Sequence, residues 1–343
     1  MTQPSTPCLT GSAPGRVNLI GEWIDFNGGT VVPMALPQKV TIEVAPSKDG
    51  HDRIRSAQFA GEAVVDIDAS ATGDWWDYVC GALQLARRRG WIDGGREVLV
   101  DSSVPVGAGL SSSAATIIAT LKAVAPVEVL ANATELALAA QRIEHDYIGV
   151  PCGIMDQMAI AVGSSEEALV LNTKDLSFEQ LRVPKDWQFI VFHSGIGRAL
   201  ADGQYRQRRD ECADAARQLD EEYLCDASAA AAEHLPSPLN LRARHVISEH
   251  QRSLNAAKAI VRGDAERFGE LMSESHASLR DDFMVSVEPI DIMVADALRL
   301  GALGARITGA GFGGCFVCLT ASQYADRIAE SLQALHPSIR RIT

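Results

Sequence analysis

The stretch from Val104 to Ala125, VPVGAGLSSSAATIIATLKAVA, constrains the fold most, because it sets a strand, a glycine loop and a buried helix in one unbroken run. A β-like segment enters Gly107-Ala108-Gly109, three serines follow, and an apolar helix begins. That order places bare backbone N–H groups and serine hydroxyls at the positive end of a helix, where phosphate is favoured. The plain alternative is a serine-capped core helix. Two familiar phosphate loops fit poorly. The Walker pattern needs a Gly-Lys-Ser/Thr ending, and no lysine stands here. The dinucleotide fingerprint needs a third glycine where Ser112 stands, although Glu128 lies at a tolerable offset for a ribose carboxylate; a Rossmann oxidoreductase is therefore a competing reading.

With 343 residues, the chain exceeds what one hydrophobic core usually supports, so two packed α/β lobes with a cleft between them are expected. Its composition, 47% apolar and 22% charged, is that of a soluble globular protein. No run is long enough to span a bilayer and no signal-peptide pattern opens the chain, which predicts a cytoplasmic protein. A formal charge of -13 argues against nucleic acid or an anionic membrane as the main partner, since both reward clustered Lys and Arg. Any anionic ligand must then find positive potential locally. Seven cysteines without a secretory signal read as reduced thiols. Cys315 and Cys318 have C-x-x-C spacing, but their strand-like surroundings favour core packing over zinc or redox chemistry.

Strand-like runs occur at Val40 to Val44, Val98 to Val104, Ala168 to Leu171, Phe189 to Phe192 and Cys315 to Leu319. Helical periodicity covers Ala114 to Ala125, Thr134 to Tyr147, Tyr205 to Glu233 and Ser253 to Arg280. Strands and helices mixed without strict βαβ alternation predict an α+β arrangement. A lobe boundary near Gly163 to Glu167 divides the chain into 1–165 and 166–343.

Three further stretches carry candidate chemistry. In GRVNLIGEWIDFNGG, Gly15 to Gly29, Val17 to Ile20 reads as a strand, Asn27-Gly28-Gly29 as a hairpin turn and Val31 to Leu36 as the return strand. Arg16, Glu22 and Asp25 then sit at strand ends or in the loop, where solvated turn carboxylates are the plain reading. In TELALAAQRIEHDYIGVPCGIMDQM, Leu136, Ala140, Ile143 and Tyr147 form one helical stripe that Gly149 stops. Asp156 follows among Ile154, Met155 and Met158, a desolvated setting that is costly unless the carboxylate has a cation or a task. Glu144, beside the stripe, faces either a cleft or solvent. In GARITGAGFGGC, Gly304 to Cys315, five glycines imply close approach of backbone to backbone or to a ligand.

These stretches resemble the signature motifs of the GHMP small-molecule kinases, and their details resemble the galactokinase branch. The likeness extends to Trp76-Asp-Tyr-Val-Cys-Gly-Ala82, Tyr205-Arg-Gln-Arg-Arg209, Arg244-His-Val-Ile-Ser-Glu249 and Leu271 to Arg280, and so covers nearly the whole chain. The resemblance implies a two-lobed GHMP-kinase fold with the active site in the cleft between the N-terminal and C-terminal lobes, working as a monomer on a small-molecule sugar and ATP with Mg²⁺. It implies that Gly107, Ala108, Gly109, Leu110, Ser111, Ser112 and Ser113 wrap the triphosphate, that Trp76 lies near the adenine, and that Ser113 and Glu144 hold the metal. Asp156 would accept the proton of the sugar's anomeric hydroxyl, with Arg16 beside it. Glu22, Trp23, Asp25, Gly153 and Tyr205 would contact the sugar, and the Gly309 to Gly314 loop would close the site from behind.

The chain departs from that pattern in places. The branch reads Glu-His-Thr-Asp where this chain has Glu22-Trp23-Ile24-Asp25, exchanging a polar imidazole and a hydroxyl for two large apolar groups. An indole near C6 would favour a galacto-configured sugar without the hydroxymethyl, such as L-arabinose, with N-acetylgalactosamine a further alternative substrate; pointed into the core it would change nothing. Arg206 replaces an asparagine, and Glu166 to Asn172 lacks the His and Asp of the related segment. A sugar-1-kinase, with galactose first, leads over a mevalonate or homoserine kinase and over a non-catalytic galactose sensor.

Overall fold

A computed structural model describes residues 8–105, 107–197 and 201–343. The chain divides into two compact units. The first holds the described residues within Met1–Arg16, Ala35–Val106 and Ser111–Val162; the second holds Val17–Met34, Gly107–Leu110 and those within Gly163–Thr343.

In the first unit, the later part of strand Thr30–Pro46 pairs antiparallel with Arg96–Ser102, Val40 opposite Ser102 and Pro46 opposite Arg96. Asp52–Ser56 joins Arg96–Ser102 in parallel and carries Glu62–Val65 on its other edge. The helix Ser112–Val124 is the centre of this unit. Ile117, Ile118, Ala119 and Leu121 are wholly buried, as the all-round apolar sequence requires. Helices Asp77–Arg88, Ala133–Arg142 and Met155–Val162 all pack on it. Each buried Leu or Ile contributes about 1.5–3 kcal/mol relative to exposure, so this helix is fixed by its surroundings rather than by propensity. Gly11 lies so close to it that an added Cβ would stand 2.1 Å from the Ala119 carbonyl oxygen.

In the second unit, Glu167–Asn172 pairs with the early part of Thr30–Pro46 and with Phe178–Arg182. A separate antiparallel sheet runs in the order Arg340–Arg341, Trp187–His193, Cys315–Ala321, Gly304–Thr308. Its core includes Phe192 stacked on Phe316 at 5.2 Å, and the Trp187, Phe189 and Phe268 cluster. Cys315 and Cys318 are buried thiols outside any disulfide on an inner strand of this sheet, packing residues as the sequence implied. Helix Ala265–Asp281 crosses strand Gly304–Thr308 where Gly269 meets Gly304; a Cβ on Gly304 would lie 2.4 Å from the Gly269 carbonyl oxygen.

Four local expectations are corrected. The helix expected from Tyr205 to Glu233 is Ala201–Gln218, followed by short turns at Leu224–Asp226 and Ala229–Ala232. The one expected from Ser253 to Arg280 is two helices, Leu239–Arg262 and Ala265–Asp281. Gly263, at φ 67°, closes the first, and the Asp264 carboxylate caps the second by accepting the Arg267 N–H. The Thr134 to Tyr147 helix is α only as far as Arg142 and continues as the π-helical turn Ile143–Ile148, which Gly149 ends at φ 81°. The Asn27-Gly28-Gly29 hairpin is instead a longer connection, 21–29, with Trp23 at φ 68° and Gly28 at φ 76°. Asn27 stabilises it through its side-chain amide, which donates to the Trp23 carbonyl at 2.8 Å.

Candidate active site

In the first unit a charged constellation lies at the start of helix Ser112–Val124, while the glycine loop before it, Gly107–Leu110, is counted with the second unit. Gly107 and Gly109 take left-handed conformations, φ 71° and 77°, and Ser111 follows at φ 58°. Gly107 has open space around its missing Cβ, so its conformation, not crowding, demands glycine. Ala108 and Leu110 anchor the loop by burial. Ser111 stands at the N-cap, yet its side chain makes no capping hydrogen bond. Its hydroxyl instead donates to Asp156 Oδ2. The first amides of the helix therefore keep their hydrogens free of a side-chain cap at the positive end of the dipole.

Asp156 lies in the first turn of helix Met155–Val162. The fork of Arg16 grips it, Nε on Oδ1 and Nη2 on Oδ2, both at 2.7 Å. Arg16 is 6% exposed and Asp156 29%, so the guanidinium is backing and the carboxylate is the reachable partner. A planar, bidentate pair holds the carboxylate plane far more tightly than a lysine would. The aspartate, expected to be desolvated, is instead half-buried, and it pairs with a cation.

Glu144, on the π-helical turn, is nearly fully buried. Ser113 hydrogen-bonds it, Gln157 donates its amide to Oε2, and the Cys152 thiol lies 3.5 Å from the same oxygen. Burial, and after it the negative charge of Asp156, pushes Glu144 up to about 7. A divalent cation would reverse that preference. Among the described residues no three or more His, Cys, Asp or Glu side chains converge as a protein-only metal site. One hydroxyl and one buried carboxylate are nonetheless a fitting donor set for Mg²⁺, which takes hard oxygens and fills most positions from phosphates and water. Gly153 is buried just ahead of Asp156. Trp76 precedes helix Asp77–Arg88, half-buried and edge-on to Trp75 at 5.7 Å; Trp75 in turn stacks on Phe59.

The second unit places the other predicted residues. Glu22 is clamped from three directions. Its Oε1 accepts from Thr308 Oγ1 at 3.0 Å and from the Gly309 N–H at 2.7 Å, with Arg306 Nη2 at 3.3 Å. Its carbonyl accepts from His245 Nε2 at 3.1 Å, and its N–H donates to Glu249 Oε1 at 3.3 Å. Burial opposes ionisation of Glu249, but Arg252, His245 and Arg306 outweigh it and hold the carboxyl down at about 2. Burial drives His245 down to about 4, so its ring is neutral near pH 7 and Nε2 carries the proton given to Glu22.

Trp23 is 4% exposed and packs with Tyr205 at 4.7 Å, Phe283 at 5.0 Å and Phe26 at 6.2 Å; its indole Nε1 is enclosed without a hydrogen-bond partner among the described residues. Tyr205 and Asp25 are half-buried, and Arg206 points into solvent. The loop after Thr308 runs through left-handed residues at Gly309, Gly311, Phe312, Gly313 and Gly314. Gly311 has no room for a side chain, because a Cβ would stand 2.4 Å from the Val285 carbonyl oxygen.

Residues 77–164 match the GHMP kinases N terminal domain, residues 256–338 the GHMP kinases C terminal domain, and residues 3–46 the galactokinase galactose-binding signature. The galactokinase of Roseiflexus sp. (strain RS-1) is 41% identical over 96% of this chain and 88% of its own length. The chain belongs to the galactokinase family. The galactokinase of Thermococcus kodakarensis is 35% identical over 95% of this chain and 93% of its own. The structure of Lactococcus lactis galactokinase complexed with galactose superposes with a TM-score of 0.90 at 31% identity, covering 98% of this chain and 93% of that one. Methanococcus jannaschii mevalonate kinase shares the fold alone, at TM-score 0.73 and 19% identity. The chain is thus an α+β GHMP kinase and a sugar phosphotransferase. These relatives do not favour the alternative sugars or a sensor role. No helix among the described residues is long and apolar enough to cross a membrane.

The sequence did not single out Gln157, His245, Glu249 or Arg306, nor the bond from Ser111 to Asp156. His245 and Glu249 do lie in the Arg244 to Glu249 segment that carried the resemblance, and Arg306 in the glycine-rich one. Only the folded chain gives them roles.

Proposed function

We propose that this galactokinase-family chain transfers the γ-phosphoryl group of ATP to the anomeric hydroxyl of D-galactose, with Asp156 as proton acceptor. The observation that carries the reading is the Arg16, Asp156 and Ser111 constellation at an uncapped helix N-terminus. As sugar O1 bonds to the γ-phosphorus, its proton passes to Asp156 and the bridging oxygen leaves with ADP. Phosphoryl transfer has a loose transition state in which positioning and electrostatics outweigh base strength, so holding the Asp156 plane is as useful as its basicity. A positioned base adds about 10² to 10⁴ in rate. Arg16 stabilises the carboxylate and the alkoxide that forms.

The loop Gly107 to Ser113 and the first amides of its helix bind the triphosphate, and Trp76 supports the adenine. Ser113 and Glu144 hold Mg²⁺, which when bound neutralises charge on the phosphate oxygens. Glu22, Asp25 and Tyr205 hydrogen-bond sugar hydroxyls, Gly153 lets the sugar approach, and Trp23 forms an apolar wall behind Tyr205. The enzyme works as a cytoplasmic monomer.

The test is coupled ADP release with Mg-ATP against D-galactose, L-arabinose, D-fucose, N-acetylgalactosamine, D-galacturonate, D-glucose and mevalonate. Turnover fastest on galactose supports the reading. Silence on galactose with turnover on another sugar overturns the substrate, and silence throughout overturns the activity.

A further inference from the structure

Glu22 holds its two carboxylate oxygens in unlike surroundings. Oε1 is saturated by Thr308 Oγ1, the Gly309 N–H and the Arg306 guanidinium, whereas Oε2 receives no hydrogen bond from any described residue. Arg306 itself is 0% exposed on strand Gly304–Thr308. Its Nη1 donates to the Asn18 carbonyl at 2.9 Å, while Nε and Nη2 lie enclosed without a well-formed hydrogen bond. Taking a guanidinium fully out of water is costly, and a fold that needed only volume here would be as stable with an aliphatic side chain. The cation is kept where it meets the Glu22 carboxylate, and the Asn18 contact fixes its plane.

We propose that Arg306 is a positioning residue for sugar recognition, locking Glu22 through Oε1 so that Oε2 is presented as a fixed, charged acceptor for a sugar hydroxyl. This rests on Glu22 reading the sugar. Thr308 and Gly309 aim Oε1, but both are neutral. Arg306 alone among these three partners brings a positive charge to Oε1, at 3.3 Å. His245 and Glu249 hold the backbone of the same residue, so side chain and main chain are fixed independently. Because Arg306 also acts electrostatically on Glu249, a purely structural role is the competing explanation.

A mutant cycle on the full chain separates the two. Arg306→Met, Arg306→Lys, Glu22→Gln and Glu22→Gln/Arg306→Met are compared by KM for galactose, KM for ATP, kcat, galactose titration calorimetry without ATP, and thermal melting. Arg306→Met raises galactose KM and Kd about tenfold or more, the scale of one charged hydrogen bond, with ATP KM within about twofold. Arg306→Lys, which keeps the charge, recovers most of the loss. In the Glu22→Gln background, Arg306→Met adds less than about twofold, because the group it acts through is already gone. Losses that multiply in the double variant, or that fall equally on galactose and ATP, overturn the proposal. Galactose binding unchanged in Glu22→Gln overturns the reading of Glu22 itself, while a loss in Glu22→Gln with none in Arg306→Met overturns Arg306 alone. Should Arg306→Met fail to fold, Arg306→Gln, which also removes the charge, and its double with Glu22→Gln make the same comparison.

Discussion

Acidification should weaken this fold through one residue in a calculable way. His245 is completely buried, against Phe283 at 4.6 Å, with Nε2 on the Glu22 carbonyl and Nδ1 2.9 Å from Ser278 Oγ. Burial lowers its pKa from 6.5 to about 4, helped by Arg252 and opposed by Glu249, the Glu22 carbonyl and Asp282. The unfolded chain therefore takes up a proton below pH 6.5 that the folded chain refuses until about pH 4. Stability is complete above the unfolded value, falls as pH drops, and stops falling on this account near the folded value. At 1.36 kcal/mol per pH unit the whole window is worth about 3 kcal/mol, of which about 2 kcal/mol is gone by pH 5. Glu249, held at about 2 in the folded chain, adds its own loss only as pH falls from its unfolded value of 4.5, below the range assayed. The assay is urea unfolding at pH 7.5, 6.5, 5.5 and 5.0 for the natural chain and for His245→Gln. Glutamine can still donate to the Glu22 carbonyl but cannot take the proton. Contributions from all other groups cancel in the difference, so the natural chain should lose about 2 kcal/mol more than the variant by pH 5. Parallel stability curves would refute the assignment.

Asp156→Asn should lower kcat at least about 10²-fold while ATP affinity changes little; single-turnover phosphorylation with near-normal rate would remove Asp156 as the proton acceptor. Ser111→Ala should separate catalysis from stability. An ordinary N-cap loss costs about 1 kcal/mol, but Ser111 does not cap, so thermal melting should barely move while kcat falls about tenfold through the freed Asp156. Gly28→Ala should destabilise by about 1–3 kcal/mol, since φ is +76° and the new Cβ would stand 2.6 Å from the Tyr223 ring; an unchanged urea midpoint would contradict that packing.

What was legible in the sequence was what local chemistry dictates. Glycines at 107, 109, 309, 311, 313 and 314 take left-handed backbone at the loops themselves, and the apolar run after Ser113 reads as a buried helix. An aspartate among Ile154, Met155 and Met158 asked for a cation or a task, and only the family resemblance named Arg16 as its neighbour. The Glu22 clamp was not legible: its Oε1 partners come from Arg306 to Gly309, and Thr308 is 286 residues away along the chain. No periodicity reports a contact of that span. Trp23 left two readings open for a related reason, since the surroundings of a left-handed tryptophan at φ 68° are set by the aromatic faces of Tyr205 and Phe283, not by its neighbours in sequence. The break at Gly263-Asp264 was written plainly, a C-terminal glycine followed by an N-cap aspartate, but the apolar stripe runs on through it. The π-helical turn that carries Glu144 leaves no compositional trace.

The assignment of residues 17–34 to the second unit bears on how the protein is made. A ribosome delivers everything the first unit contains once Val162 has emerged, and the Arg16–Asp156 pair can close then. Residues 17–34 leave the tunnel early, but Thr30, Val31 and Met34 wait for their partners in Glu167–Asn172, and the Glu22 carboxylate waits for Thr308 and Gly309 near the end of synthesis. Until then Ile20, Ile24, Val31 and Val32, all fully buried in the finished protein, remain without their packing. A nascent chain arrested before residue 304 would hold Asp156 against Arg16 while Glu22 still lacked Thr308 and Gly309, so the proposed proton acceptor is set before the clamped carboxylate.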